Sequence, residues 1–114
     1  MELTAVAATA KAPASTFTGD VYVTPIKKAE DASRLIASLV RFTPAARTNW
    51  HSHANEQTGM VTAGKLTFFI GDEEQTLIAG DFYFIPGGVR HKVVALDEPV
   101  KALDVFYPIR EEYR

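Results

Sequence analysis

Short apolar runs closed by turn residues fill the chain from residue 20 onward. The runs are DVYVTPI (20–26), RLIASLVRFT (34–43), TGMVT (58–62), KLTFFI (65–70), QTLIA (75–79), DFYFI (81–85), HKVVAL (91–96) and VKALDVFY (100–107). Between them stand Pro44, Gly64, Gly71-Asp72, Gly80-Asp81, Pro86-Gly87-Gly88, Asp97-Glu98-Pro99 and Pro108. Short strands at regular spacing with this punctuation predict an all-β sandwich or barrel. The residues Gly71-Asp72-Glu73-Glu74 between two runs predict a hairpin with a slightly extended loop. Lys28–Arg34 has room for a short helical turn.

Alternation within the runs assigns faces. Leu66, Phe68 and Ile70 share one side of KLTFFI, and Phe69 takes the other. In RLIASLVRF, Ser38, Val40 and Phe42 share one face, and Leu39 and Arg41 the other. In KALDVFY, Leu103, Val105 and Tyr107 alternate with Ala102, Asp104 and Phe106. A sheet with one wet face shows polar residues there, and these runs are apolar on both sides. The expected partner for the outer face is a second copy of the chain, hence a homodimer or higher homo-oligomer.

A length of 114 residues corresponds to one domain. Residues 1–15 read as a flexible, Ala-rich N-terminal arm and 16–114 as the single domain. The arm lacks a basic leader and is interrupted by Lys11 and Pro13, so a cytoplasmic location is expected. Net charge is −2. That balance argues against nucleic acid as a partner and against an acidic membrane surface. With 46% hydrophobic and 23% charged residues, the composition is that of a globular domain. There is no cysteine, which excludes disulfides, thiolate metal sites and a cysteine nucleophile.

The candidate chemistry lies in three histidines, His51, His53 and His91. In an extended segment His51 and His53 project to the same side, so two imidazoles address one point in space. Gln57 follows across a short turn, and His91 follows Pro86-Gly87-Gly88. All three histidines sit beside turns at strand ends, where the mouth of a barrel would be.

These residues carry a family resemblance. Ala45 to Gly64, AARTNWHSHANEQTGMVTAG, resembles the first cupin motif, with Ala45 in place of its first Gly and Gln57 in place of its Glu. Gly80 to Ala95, GDFYFIPGGVRHKVVA, resembles the second, with Ala95 in place of its Asn. The resemblance implies a double-stranded β-helix, a jelly-roll-like barrel of the small RmlC-like kind. It also implies one divalent transition metal per chain, held by His51, His53, Gln57 and His91. Glu56 competes for the fourth place but sits one position too early. Strand alternation puts Gln57, Gly59 and Val61 on one face and turns Glu56 away. Nitrogen and oxygen donors without sulfur suit Mn, Fe, Ni, Co or Zn. Three imidazoles and a neutral amide would leave the ion its full charge, and four protein ligands would leave two positions for water or substrate.

Two finer resemblances refine the expected activity. FTGDVYVTP (17–25) and FTPAARTNWHSHANEQTGMVTAG (42–64) are similar to manganese-dependent cupin hydroxynitrile lyases, which makes manganese the first choice. ALDVFYPIREEY (102–113) is similar to small cupins that process unsaturated uronates, where the residues matching Asp104, Phe106 and Arg110 lie around the metal. Asp104 is a lone acid in an apolar strand, which is costly unless the carboxylate is paired or used. It reads as a general acid or base, as one half of an ion pair with Arg110, or as an exposed edge residue. Arg110 would alternatively clamp a substrate carboxylate. Ser38, Val40, Phe42 and Phe106 are the expected pocket walls, and Trp50 is expected to be packing.

The leading expectation is a metal-dependent lyase or isomerase for a small carbonyl or α-hydroxy substrate. The alternatives are an iron-dependent dioxygenase and a non-catalytic small-molecule binder.

Overall fold

The computed structural model describes residues 10–11, 17–27 and 35–107. Lys28–Arg34, Arg110 and most of the expected arm lie outside the described residues. The strands are β1 (Ala10–Lys11), β2 (Phe17–Thr18), β3 (Val21–Lys27), β4 (Ile36–Phe42), β5 (Arg47–Thr48), β6 (Glu56–Ala63), β7 (Lys65–Ile70), β8 (Glu73–Ile78), β9 (Phe82–Ile85), β10 (His91–Ala95) and β11 (Val100–Tyr107). All described residues outside them are turns or extended connections, and no described helix is long and apolar enough to cross a membrane.

Two antiparallel sheets face each other. One runs β1-β3-β4-β11-β6-β9 and the other β2-β5-β10-β7-β8. Alternation supplies each inner face. Val21, Val40, Phe42, Val61 and Ala102 of the first sheet meet Leu66, Phe68, Val93 and Ala95 of the second in one continuous core. Burying such side chains yields roughly 1.5–3 kcal/mol each before the entropy of ordering them is subtracted. The outer face of the larger sheet holds half-buried Leu39, Met60, Leu103 and Val105. On its edge strand β9, Phe82 and Phe84 are 76% and 54% exposed.

Three two-residue strands, β1, β2 and β5, escaped the apolar pattern because they are too short to show a period. The β7–β8 hairpin is also tighter than expected. Ile70 pairs directly with Glu73, so the loop is Gly71-Asp72 alone and the two glutamates belong to β8. Gly71 adopts φ 60°, the left-handed backbone that a two-residue hairpin turn matched to strand twist demands.

The turn before β5 explains the first departure from the cupin motif. Thr43-Pro44-Ala45-Ala46 closes with Ala46 N donating to Thr43 O at 3.0 Å, and Ala45 sits at φ 67°. Positive φ at the third residue of a turn with Pro second is the glycine position of a type II turn. The motif glycine therefore serves backbone conformation, and Ala45 keeps the turn with a Cβ in a disfavoured region. Left-handed backbone costs an L-residue roughly 1–2 kcal/mol. Ala45→Gly is expected to stabilise the fold by about 1 kcal/mol. Denaturant midpoints would show the gain, and an unchanged or lowered midpoint would contradict the strain.

Candidate metal centre

The β-scaffold brings the histidines together through one backbone pairing. His51 and His91 form an isolated antiparallel bridge, with His51 N donating to His91 O at 3.0 Å and His91 N donating to His51 O at 2.8 Å. His91 opens β10, so the bridge lashes the His51-Ser52-His53 connection to the smaller sheet. The glycine turn holds the other end, with Gly88 N donating to His53 O at 2.7 Å. The shared projection of His51 and His53 thus comes from an extended connection anchored at both ends and not from a continuous strand.

Each ring is then oriented by its own backbone. Nδ1 lies 2.7 Å from Asn49 O in His51, 3.0 Å from Asn55 O in His53 and 2.9 Å from Val89 O in His91. A carbonyl oxygen only accepts, so Nδ1 carries the proton and Nε2 keeps the lone pair in all three rings. The ring centroids are 4.2 Å apart for His51 and His91, 4.9 Å for His53 and His91, and 5.7 Å for His51 and His53. One ligand atom from each falls within 4.8 Å of the others. Three Nε2 lone pairs converging from rings fixed in the metal-binding tautomer are a donor set that fits a divalent transition ion.

Gln57 and Glu56 part as alternation expected. Gln57 is 9% exposed and faces the cavity with His51 and His91, while Glu56 is exposed. The Gln57 Nε2 donates to Asp104 Oδ1 at 3.1 Å. Asp104 lies in register with Gly59 on β6, and Gly59 lies in register with Tyr83 on β9. The Tyr83 phenol crosses over Gly59 and donates to the same Asp104 oxygen, with the Leu103 carbonyl at 3.3 Å. A Cβ on Gly59 would overlap both the phenol and that carbonyl, so the crossing requires glycine.

Tyr83 was not singled out by the sequence. Two signals mark it in retrospect. Alternation puts it beside Ile85 on the inner face of β9, and a glycine inside the neighbouring strand indicates close approach. Among the described residues, Asp104 is thus paired with Tyr83 and Gln57, and the Arg110 alternative lies outside them. Burial pushes the Asp104 carboxyl above its ordinary range, and the hydrogen bonds from Tyr83 and Gln57 partly offset this. Burial, then the neighbouring Asp104 charge, pushes the Tyr83 phenol well above its ordinary value and keeps it a donor.

The cavity at this site holds about 70 Å³ of free space, roughly the volume of two waters. Val40, Phe42 and Phe106 line it. Ser38 does not. It pairs across the ladder with Asp104 and is half-buried beside the wall. Phe106 sets its edge against His53 with centroids 5.5 Å apart. Trp50 faces outward at 37% exposure, where it meets Phe69 and the cations of Arg90 and Lys92.

This combination of barrel and inward histidines has a family assignment. Residues 38–106, more than half of the chain, match the model of the cupin domain, and the chain belongs to the cupin family. It is 46% identical over 57 residues to an (R)-mandelonitrile lyase of Granulicella tundricola, covering 50% of this chain and 44% of that protein. The chain thus spans less than half the length of that relative. A cupin-like protein of Thermotoga maritima superposes with a TM-score of 0.84 at 29% identity, covering 96% of this chain and 83% of the other. KdgF of a Halomonas species superposes with a TM-score of 0.73 at 26% identity, covering 81% and 82%.

Removing one imidazole should separate metal binding from folding, because the core is apolar and closes without the histidines. His91→Ala is expected to lose bound divalent metal while keeping its β-sheet circular dichroism. Elemental analysis of the purified variant against the parent checks this, and full metal occupancy in the variant would refute the ligand role.

Proposed function

We propose that the protein is a metal-dependent lyase acting on a small α-hydroxynitrile. The observation that carries this reading is one ligand atom from each of three imidazoles within 4.8 Å of the others, beside a cavity that His51, His91 and the Asp104 carboxyl line among otherwise mainly apolar walls. A space of about 70 Å³ suits the reacting end of a compact substrate. A uronate, with a hydroxyl on most carbons, would call for more polar partners than the described walls offer. The likeness to an (R)-mandelonitrile lyase supports the same choice.

His51, His53 and His91 would hold the ion through Nε2, with the Gln57 side chain as fourth donor. A divalent ion there, manganese first, supplies Lewis acidity toward the substrate oxygen. Phe106, Val40 and Phe42 exclude water from the reacting carbon. Asp104 Oδ1 is taken by Tyr83 and Gln57, which leaves Oδ2 for the substrate proton. The hydroxyl proton passes to Oδ2. The bond to the nitrile carbon breaks with its electron pair leaving on cyanide, and the carbonyl forms. The proton then returns to cyanide and hydrogen cyanide departs. A carboxyl raised by burial is better matched to this exchange near neutral pH than one in water. The homodimer expected from the apolar outer strand faces is part of this reading, and sedimentation of the purified chain tests it.

The assay is cyanide release from mandelonitrile by manganese-loaded protein. Turnover is expected, with loss on chelation. At saturating manganese Asp104→Asn should lower kcat by about 10²–10⁴-fold with a much smaller change in KM. Turnover of unsaturated uronates without cyanide release would replace the substrate assignment, and binding of either substrate without turnover would replace the lyase.

A further inference from the structure

The motif position occupied by Gln57 normally carries a carboxylate, and this chain carries one elsewhere in the same cavity. Asp104 Oδ1 accepts from Gln57 Nε2 at 3.1 Å and from the Tyr83 phenol. Three strands deliver this arrangement in one cross-strand row, Asp104 on β11, Gly59 on β6 and Tyr83 on β9. A side-chain amide has two ends with opposite hydrogen-bonding character. An end that gives its hydrogens to a carboxylate oxygen is the nitrogen, so the end left for the rest of the cavity is the oxygen.

We propose that Asp104, braced by Tyr83, is a positioning residue that locks the Gln57 amide with its nitrogen toward β11 and its oxygen toward the histidines. An unbraced amide presents nitrogen or oxygen with little preference, and an amide NH₂ is no metal ligand. The brace makes Gln57 a one-sided oxygen donor. It also explains why glutamine replaces glutamate here. A glutamate carboxylate in its place would stand at hydrogen-bond distance from Asp104, and two carboxylates that close must share a proton. The negative charge is carried one hydrogen bond behind the donor.

This inference rests on the reading of the histidines as a metal site but not on the lyase reaction. Its test is therefore binding of Co²⁺ to the whole chain, followed by the visible absorption of the bound ion. The wild-type chain should bind. In Asp104→Asn, the new amide can donate to Gln57 Oε1 and turn the Gln57 nitrogen inward. Affinity should fall about 10–100-fold, the range for lost outer-shell partners, and the spectrum of the remaining complex should change. Gln57→Glu alone should also bind more weakly than wild type. The double variant Gln57→Glu/Asp104→Asn should recover most of the affinity, because the amide introduced on β11 then donates to a carboxylate with a second oxygen for the metal. Tyr83→Phe should lower affinity by less than Asp104→Asn does, and reads the brace even if Asp104→Asn fails to fold. A merely structural Asp104 cannot produce rescue in the double variant. If the double variant binds no better than Asp104→Asn, or if folded Asp104→Asn binds like wild type, positioning is overturned. If Asp104→Asn does not fold, an unchanged affinity in Tyr83→Phe overturns it. A wild-type chain that takes up no Co²⁺ overturns the metal site itself and the positioning with it.

Discussion

Three imidazoles bring a ligand atom each to one place because each spends its Nδ1 proton on a backbone carbonyl two residues away. The carbonyls belong to Asn49, Asn55 and Val89, all in the connections that carry the rings. The arrangement follows the path of two connections, and the His51–His91 bridge ties those connections to each other. One ligand atom of each ring thereby lies within 4.8 Å of the others, and Gln57 of β6 is the candidate for a fourth direction. Because tautomer and orientation are set by main chain, the donor set is preorganised by the fold.

The fourth direction is where electrostatics enters. Counting only the atoms expected to touch the ion, the set is neutral, and the sequence alone suggests an ion with its whole charge uncompensated. The structure places the Asp104 carboxyl one hydrogen bond behind Gln57. A charge at that remove still acts strongly in a poorly hydrated interior, where effective screening is far below that of water. The burial of Asp104 is relieved by two donors arriving at the same oxygen.

Most of the scaffold was legible in the chain because its signals are local. β7 and β11 match their apolar runs residue for residue, and the other long strands differ from theirs by one or two residues at most ends. The histidines were legible because their spacing is itself geometry. Less legible were features that depend on who lies across the ladder. Tyr83 looks like one more aromatic in DFYFI until β9 is set beside β6 and Gly59 opens a path over the strand. Ser38 has the correct parity for the cavity yet pairs off to its side, since parity fixes a face and not a distance. The β7–β8 loop was overestimated because Glu73 and Glu74 are polar on an exposed strand, and polarity alone resembles a turn.

Trp50 packs on the outside of the site, and its position gives it a second use. It is the chain's single tryptophan. It precedes His51, and the Arg90 guanidinium, one residue before His91, stands 5.0 Å from its ring. The indole therefore straddles both histidine-bearing segments from outside while its ring stays clear of the cavity. Any rearrangement of the two segments relative to each other must alter the electric field and the collisional quenching that the indole experiences. The molecule carries its own optical reporter of the state of its interior, readable without a label.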